Sequence, residues 1–243
     1  MSGILSALSS LHSPDAVIVL TDGAVYDNDG RLLTVKRKVT VSEKLPLAVA
    51  FRGNLAFGEV TSHQIIRAAE EVGFDRMLAA LQADLPNMPT SPKLDILIAG
   101  VSEIAGVMHC KFTNVPGFKA VGVIDTEQPP PLALVDPGPI YVGLGGDGKS
   151  QFGLEAIGIP PPRKDETIEA WLARYGVNIF EWYRRMRVPV DPGDPNTDWQ
   201  HLIGGILNMT VVKRSCVSTT LLHRWPDKIG ERINPFGREA AAA

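Results

Sequence analysis

Cysteine is scarce, with only Cys110 and Cys216 in 243 residues. Two thiols cannot build a disulfide framework, and they fit a reducing compartment. Histidine is almost as rare: His12, His63, His109, His201 and His223 show no paired metal-ligand spacing, so neither a metal site nor a cofactor is expected. Basic charge is not in excess. The 24 Lys and Arg stand against 27 Asp and Glu, net −3, which removes any general pull toward nucleic acid or an anionic membrane surface. No run reaches the roughly 18–20 apolar residues of a membrane span. The opening Met1-Ser2-Gly3-Ile4-Leu5-Ser6 lacks the basic stretch of a secretory signal. What is present is ordinary core-forming material, 44% hydrophobic against 21% charged, and the expectation is a cytoplasmic globular protein folded as one domain over 1–243.

The periodicity changes along the chain. Ala16 to Leu20 is an apolar run closed by Thr21-Asp22-Gly23, and Lys38 to Val41 and Leu45 to Phe51 also read as strands. Ile65, Ile66, Ala69 and Val72 then recur at helical spacing up to Gly73, and Phe74, Met77, Leu78 and Leu81 define a second helix. Leu94–Val101 and Gly106–Phe112 are the next strands, followed by one near Ala120–Ile124 and another at Ile140–Val142. Further on, a brief helix is expected at Lys149–Ile157, a long one at Glu166–Arg187, and a third around Trp199, Leu202, Ile203, Ile206 and Leu207. Val211–Leu222 supplies closing strands. Arg184, Arg185 and Arg187 are read as a solvated helix face, and both cysteines as buried small hydrophobes.

Gly143 to Ser150 fits the phosphate-cradling pattern G-x-x-x-x-G-K-[ST]. In such a loop the backbone N–H groups would ring a phosphate, Lys149 would reach the terminal phosphates and Ser150 would hold Mg²⁺. Three features oppose nucleotide binding. The helix that follows is short and ends at Pro160-Pro161-Pro162, no later apolar strand ends in a metal-binding Asp, and the strand–strand–helix–helix order is not the alternating one.

Paired strands, paired helices, then more strands are the order expected when helices cover antiparallel sheets. With the segments Val17–Ala24 (VIVLTDGA), Lys36–Val41 (KRKVTV) and Leu47–Gly53 (LAVAFRG), the chain resembles the proteasome β-subunits and their bacterial relative HslV. In that family an Asp ends a strand and a Lys follows sixteen residues later, the spacing of Asp22 and Lys38. Leu94–Phe112 resembles the family's next hairpin, and Tyr141–Gly146 its strand turning through a glycine loop into a helix. The segment at about 160–197 looks like an insertion.

The resemblance implies an α+β fold, a four-layer αββα sandwich of two mainly antiparallel sheets, and an N-terminal nucleophile hydrolase. In such an enzyme the first residue of the mature chain attacks an amide carbonyl with its own α-amine as general base. Asp22 and Lys38 take the supporting positions, the Lys favouring the alkoxide and the Asp fixing the Lys. The family's spacing puts the nucleophile at Ser6, which requires cleavage after Leu5. Removal of Met1 offers Ser2 instead, four residues early. The sequence also departs from the pattern at Leu144, where the family has a serine, and at Val212, where it has an aspartate. These departures leave a catalytically silent structural or assembly subunit as the alternative, with nucleotide binding at Gly143–Ser150 as a further one. A homo-oligomer and a peptide or amide substrate are the partners implied.

Overall fold

Adjacent residues of a strand point to opposite faces, and the opening of the chain obeys that rule with both faces buried. Ile4 and Leu5 are 1% and 5% exposed, yet they belong to different apolar clusters. The computed structural model describes residues 3–114, 132–143, 154–190, 196 and 198–237. In chain order, the strands and helices are β1 (Ile4–Leu8), β2 (Ala16–Asp22), β3 (Ala24–Tyr26), β4 (Leu32–Val35), β5 (Val39–Val41), β6 (Leu47–Gly53), α1 (Leu55–Val72), α2 (Phe74–Asp84), β7 (Leu94–Ser102), β8 (Gly106–Thr113), β9 (Ile140–Gly143), α3 (Ile168–Arg184), β10 (Val188–Pro189), β11 (Trp199–Gln200), β12 (Ile206–Lys213) and β13 (Cys216–Arg224). The fold is α+β, with antiparallel sheets and three α-helices among the described residues.

Two sheets hold nine of the thirteen strands among the described residues. One has five strands in the order β13-β12-β2-β1-β9 and the other four in the order β5-β6-β7-β8. The pairs β3-β4 and β10-β11 form small ribbons. Three apolar clusters tie these parts together. Leu5, Ile18, Leu20, Leu207 and Met209 of the five-stranded sheet pack with Leu172, Ile179 and Phe180 of α3. Val49, Phe51, Ile96, Ile98 and Phe112 of the four-stranded sheet pack with Ile65 and Ile66 of α1 and with Phe74 and Met77 of α2. The third cluster draws on both sheets: Ile4, Val17, Val19 and Val212 meet Ala48, Ala50, Leu97 and Ala99.

Local chemistry fixes the helix ends. The Asn54 side chain accepts from Phe57 N–H at 3.0 Å to start α1. Gly73, at φ 93°, separates α1 from α2. With glycine in that position α2 has no side-chain cap of its own, and Glu103, in the β7–β8 turn, supplies one. Its carboxylate accepts from Phe74 N–H at 2.8 Å and Asp75 N–H at 2.9 Å.

Several expectations need correction. β1, at Ile4–Leu8, is absent from the expected strands, the first of which begins at Ala16; pairing with β2 and β9 on either side outweighs local propensity there. No helix forms around Trp199–Leu207. Gly204-Gly205 interrupts that apolar stripe, with Gly205 at φ 73°, and the flanking residues are β11 and β12. The long helix expected at 166–187 does form, as α3, and its apolar side packs into the core. Cys110 is buried but Cys216 is exposed at the start of β13. The expected strand at 120–124 lies outside the described residues, and the described part of the 149–157 helix is a short 3-10 turn at Leu154–Ile157.

Candidate functional site

The end of β2 places a carboxylate where four donors converge. Asp22 is 0% exposed. Its Oδ1 accepts from Gly3 N–H at 2.8 Å and from Lys38 Nζ at 3.3 Å, and its Oδ2 from Ala24 and Gly204 N–H, each at 3.2 Å. Gly23 makes this geometry possible, since a Cβ there would come within 2.4 Å of Ile206 Cγ1. Asp22 and Lys38 are therefore interior charges. Lys38 is 3% exposed and enters from the four-stranded sheet, where its carbonyl accepts from Phe51 N–H at 3.2 Å. Its ammonium also donates to the Ala24 carbonyl. Burial holds the Lys38 pKa below the ordinary lysine value, and the Asp22 charge and hydrogen bond oppose that shift.

Ser6 is in a different place. It pairs with Val19 in the β1–β2 ladder, whereas the ladder brings Gly3 to Asp22, three residues or about 10 Å along the strand. Its hydroxyl is 0% exposed and lies 2.8 Å from His109 Nδ1, while His109 Nε2 lies 2.6 Å from the Gly138 carbonyl. A carbonyl can only accept, so Nε2 carries the proton and Nδ1 accepts from Ser6. Burial lowers the His109 pKa, with the Gly138 hydrogen bond and the Asp136 charge opposing. A neutral, buried, mutually satisfied Ser–His pair is an interior hydrogen bond between the two sheets. Ser2 lies outside the described residues.

A second charged cluster was not singled out by sequence reasoning. Arg52 Nε donates to Asp95 Oδ2 at 2.6 Å, and Tyr141 OH donates to the same oxygen at 2.8 Å. Arg52 Nη1 reaches the Gly143 carbonyl at 2.9 Å, and Gly143 pairs with Ile4. Lys111 Nζ stands 4.6 Å from the Tyr141 ring centroid. Burial raises the Tyr141 pKa, against the Arg52 charge, and lowers that of Lys111, against the Asp95 charge. The only trace of this cluster in the sequence is a charged residue inside each of three apolar strands, at Arg52, Asp95 and Lys111.

Other expectations fall away from this place. Val212, compared above with a family aspartate, is fully buried opposite Val17, at the far end of the ladder in which Leu207 meets Asp22. Its apolar character therefore has no bearing on the Asp22 site. Leu144 and the glycine-rich loop after Gly143 lie outside the described residues. No group of three or more metal-ligating side chains occurs among the described residues, and no helix there is long and apolar enough to cross a membrane. An open, largely apolar cavity of about 480 Å³, lined by Phe57, Ile65, Met77, Leu81, Leu85 and Met88 among others, includes neither Asp22 nor Lys38. Comparison of the chain with protein-family models and with curated proteins finds no match.

Proposed function

We propose that the chain is a proteasome-like N-terminal nucleophile hydrolase of αββα architecture, acting on a peptide or amide bond. Ser2 is the nucleophile when it is the first residue of the mature chain. The layered reading is supported by the three clusters: α3 covers one sheet, α1 and α2 cover the other, and a third apolar layer lies between the sheets. The observation that carries the activity is the buried Asp22 carboxylate, which accepts both from Lys38 Nζ and from the backbone of Gly3, the residue bonded to Ser2.

In this reading the Ser2 α-amine takes the hydroxyl proton as the oxygen attacks the substrate carbonyl. The resulting ammonium then gives that proton to the leaving amine, and water hydrolyses the ester that remains. Lys38 offsets the negative charge on the attacking oxygen, and Asp22 keeps Lys38 charged and in place. Ser6 serves this role less well. Exposing it as a terminus would remove the buried Ile4 and Leu5 side chains, at about 1.5–3 kcal/mol each, together with the Gly3–Asp22 hydrogen bond.

Intact-mass measurement combined with a peptidyl β-lactone trap tests the reading. The expected result is loss of Met1 and one covalent adduct on Ser2, abolished in Ser2→Ala and Lys38→Met and retained in Ser6→Ala. A chain that keeps Met1, or an adduct that persists in Ser2→Ala, removes the proposal; loss of residues 1–5 transfers the role to Ser6. Absence of any adduct on a processed chain leaves the silent structural subunit. The same reading expects a homo-oligomer, and light scattering that gives a monomer would remove that part of it.

A further inference from the structure

We propose that Arg184 and Asp227 are positioning residues that hold Asp22 in place through Gly204; the inference rests on Asp22 and Lys38 being the working pair. Arg184 is the last residue of α3, and the sequence pattern assigned it to a solvated face. Its side chain is instead 3% exposed and that of Asp227 4%, and the two form a two-pronged ion pair. The pair does not close on itself. Arg184 Nη1 also donates to the Ile203 carbonyl at 2.8 Å, and Asp227 Oδ2 accepts from Gly205 N–H at 2.8 Å. Trp225 N–H adds a bond to the Gly205 carbonyl at 3.0 Å. Residues 203–205 are thus gripped on both sides of Gly204.

Gly204 is the residue that faces the site. Its N–H donates to Asp22 Oδ2 and its carbonyl accepts from Gly23 N–H, both at 3.2 Å. Nothing larger fits, since a Cβ at Gly204 would lie 2.4 Å from Asp227 Oδ2 and 2.5 Å from Arg184 Nη1. The ion pair is therefore packed directly on the Cα of the residue whose N–H orients the carboxylate. A shift of the pair moves Gly204, and Gly204 is one of the four donors that decide which way Asp22 presents Oδ1 to Lys38.

The experiment uses the full chain with ¹³C-labelled lysine and follows Lys38 by NMR across its titration. Asp227→Asn keeps the shape of the side chain and removes its charge. Arg184→Lys, which keeps a cation but loses the fork, serves as the second variant if the first does not fold. Both are expected to move the Lys38 titration down by about one pH unit, in the direction of Asp22→Asn, because a displaced Asp22 carboxylate sustains the Lys38 charge less. Phe180→Leu is the control: it destabilises the same helix from its apolar side and is expected to leave Lys38 unmoved. Where the wild type hydrolyses a substrate, the two variants lower kcat about 10- to 100-fold with little change in KM. If Lys38 titrates as in the wild type in a folded Arg184 or Asp227 variant, or if Phe180→Leu shifts it equally, the pair is only a structural clamp and the inference is overturned. Failure of the hydrolase reading alone would show as an inactive wild type in which the Lys38 titration still responds.

Discussion

The buried His109 ring is matched to its surroundings one atom at a time. Both its ring nitrogens are used in the neutral form, and protonation would put a second hydrogen on Nδ1, where Ser6 now donates. Its pKa is lowered in the folded state, so the unfolded chain binds the proton more readily as pH falls through the ordinary value of 6.5. The contribution of His109 is therefore fully present above pH 6.5 and is lost progressively below it. Urea denaturation from pH 7.5 to 5 should show the wild type losing stability by up to about 1.4 kcal/mol per pH unit more steeply than His109→Gln. Parallel curves would mean that the ring is already solvated. Residue-scale features of this kind were only partly legible in the sequence. The resemblance to the proteasome β-subunits, carried in part by the sixteen-residue interval between Asp22 and Lys38, implied a pair, and the two side chains do meet at 3.3 Å. Arg184 was misread because its partner, Asp227, is 43 positions away and no local pattern announces it.

At the scale of elements, strands and helices with a clean period were readable, and those shaped by distant neighbours were not. β2, β6, β7, β8, α1 and α2 follow from apolar runs and 3.6-residue stripes. β1 does not, because Ser6 and Ala7 carry no strand preference and two flanking strands impose the conformation. The stripe from Trp199 to Leu207 misleads for the opposite reason. Its spacing suits a helix, but Gly204-Gly205 is occupied in holding Asp22 and Asp227. Cross-element capping is equally hidden. Glu103 caps α2 from a turn 29 residues away, and the backbone N–H of Asp75, with that of Phe74, draws its pKa below the usual glutamate value. Glu103→Ala should cost about 1 kcal/mol at neutral pH by urea denaturation, a difference that shrinks as pH falls through the range where the wild-type carboxylate is protonated. An unchanged midpoint would assign the cap to water.

For the molecule as a whole, strand order and chain order disagree in one sheet and agree in the other. The four-stranded sheet is written consecutively, with every partner present by residue 113. The five-stranded sheet sets β1 and β2 between β9, at 140–143, and β12, at 206–213. A ribosome adding about 5–20 residues per second therefore finishes one sheet roughly 5–20 s before the other has β12, the strand that pairs with β2. During that interval the β1–β2 hairpin has both apolar faces made and only part of its cover. Nascent chains arrested with residue 150 outside the exit tunnel should show protease-resistant β5–β8 and cleavable β1–β2, whereas full-length chains should protect both; early resistance of the hairpin would contradict this. Vectorial synthesis thus gives the opening residues a late birth as structure. The proposed reaction centre, which needs Gly204 against Asp22, cannot assemble before residue 204 has been made, so a hydrolase built this way stays silent long after its opening strands exist.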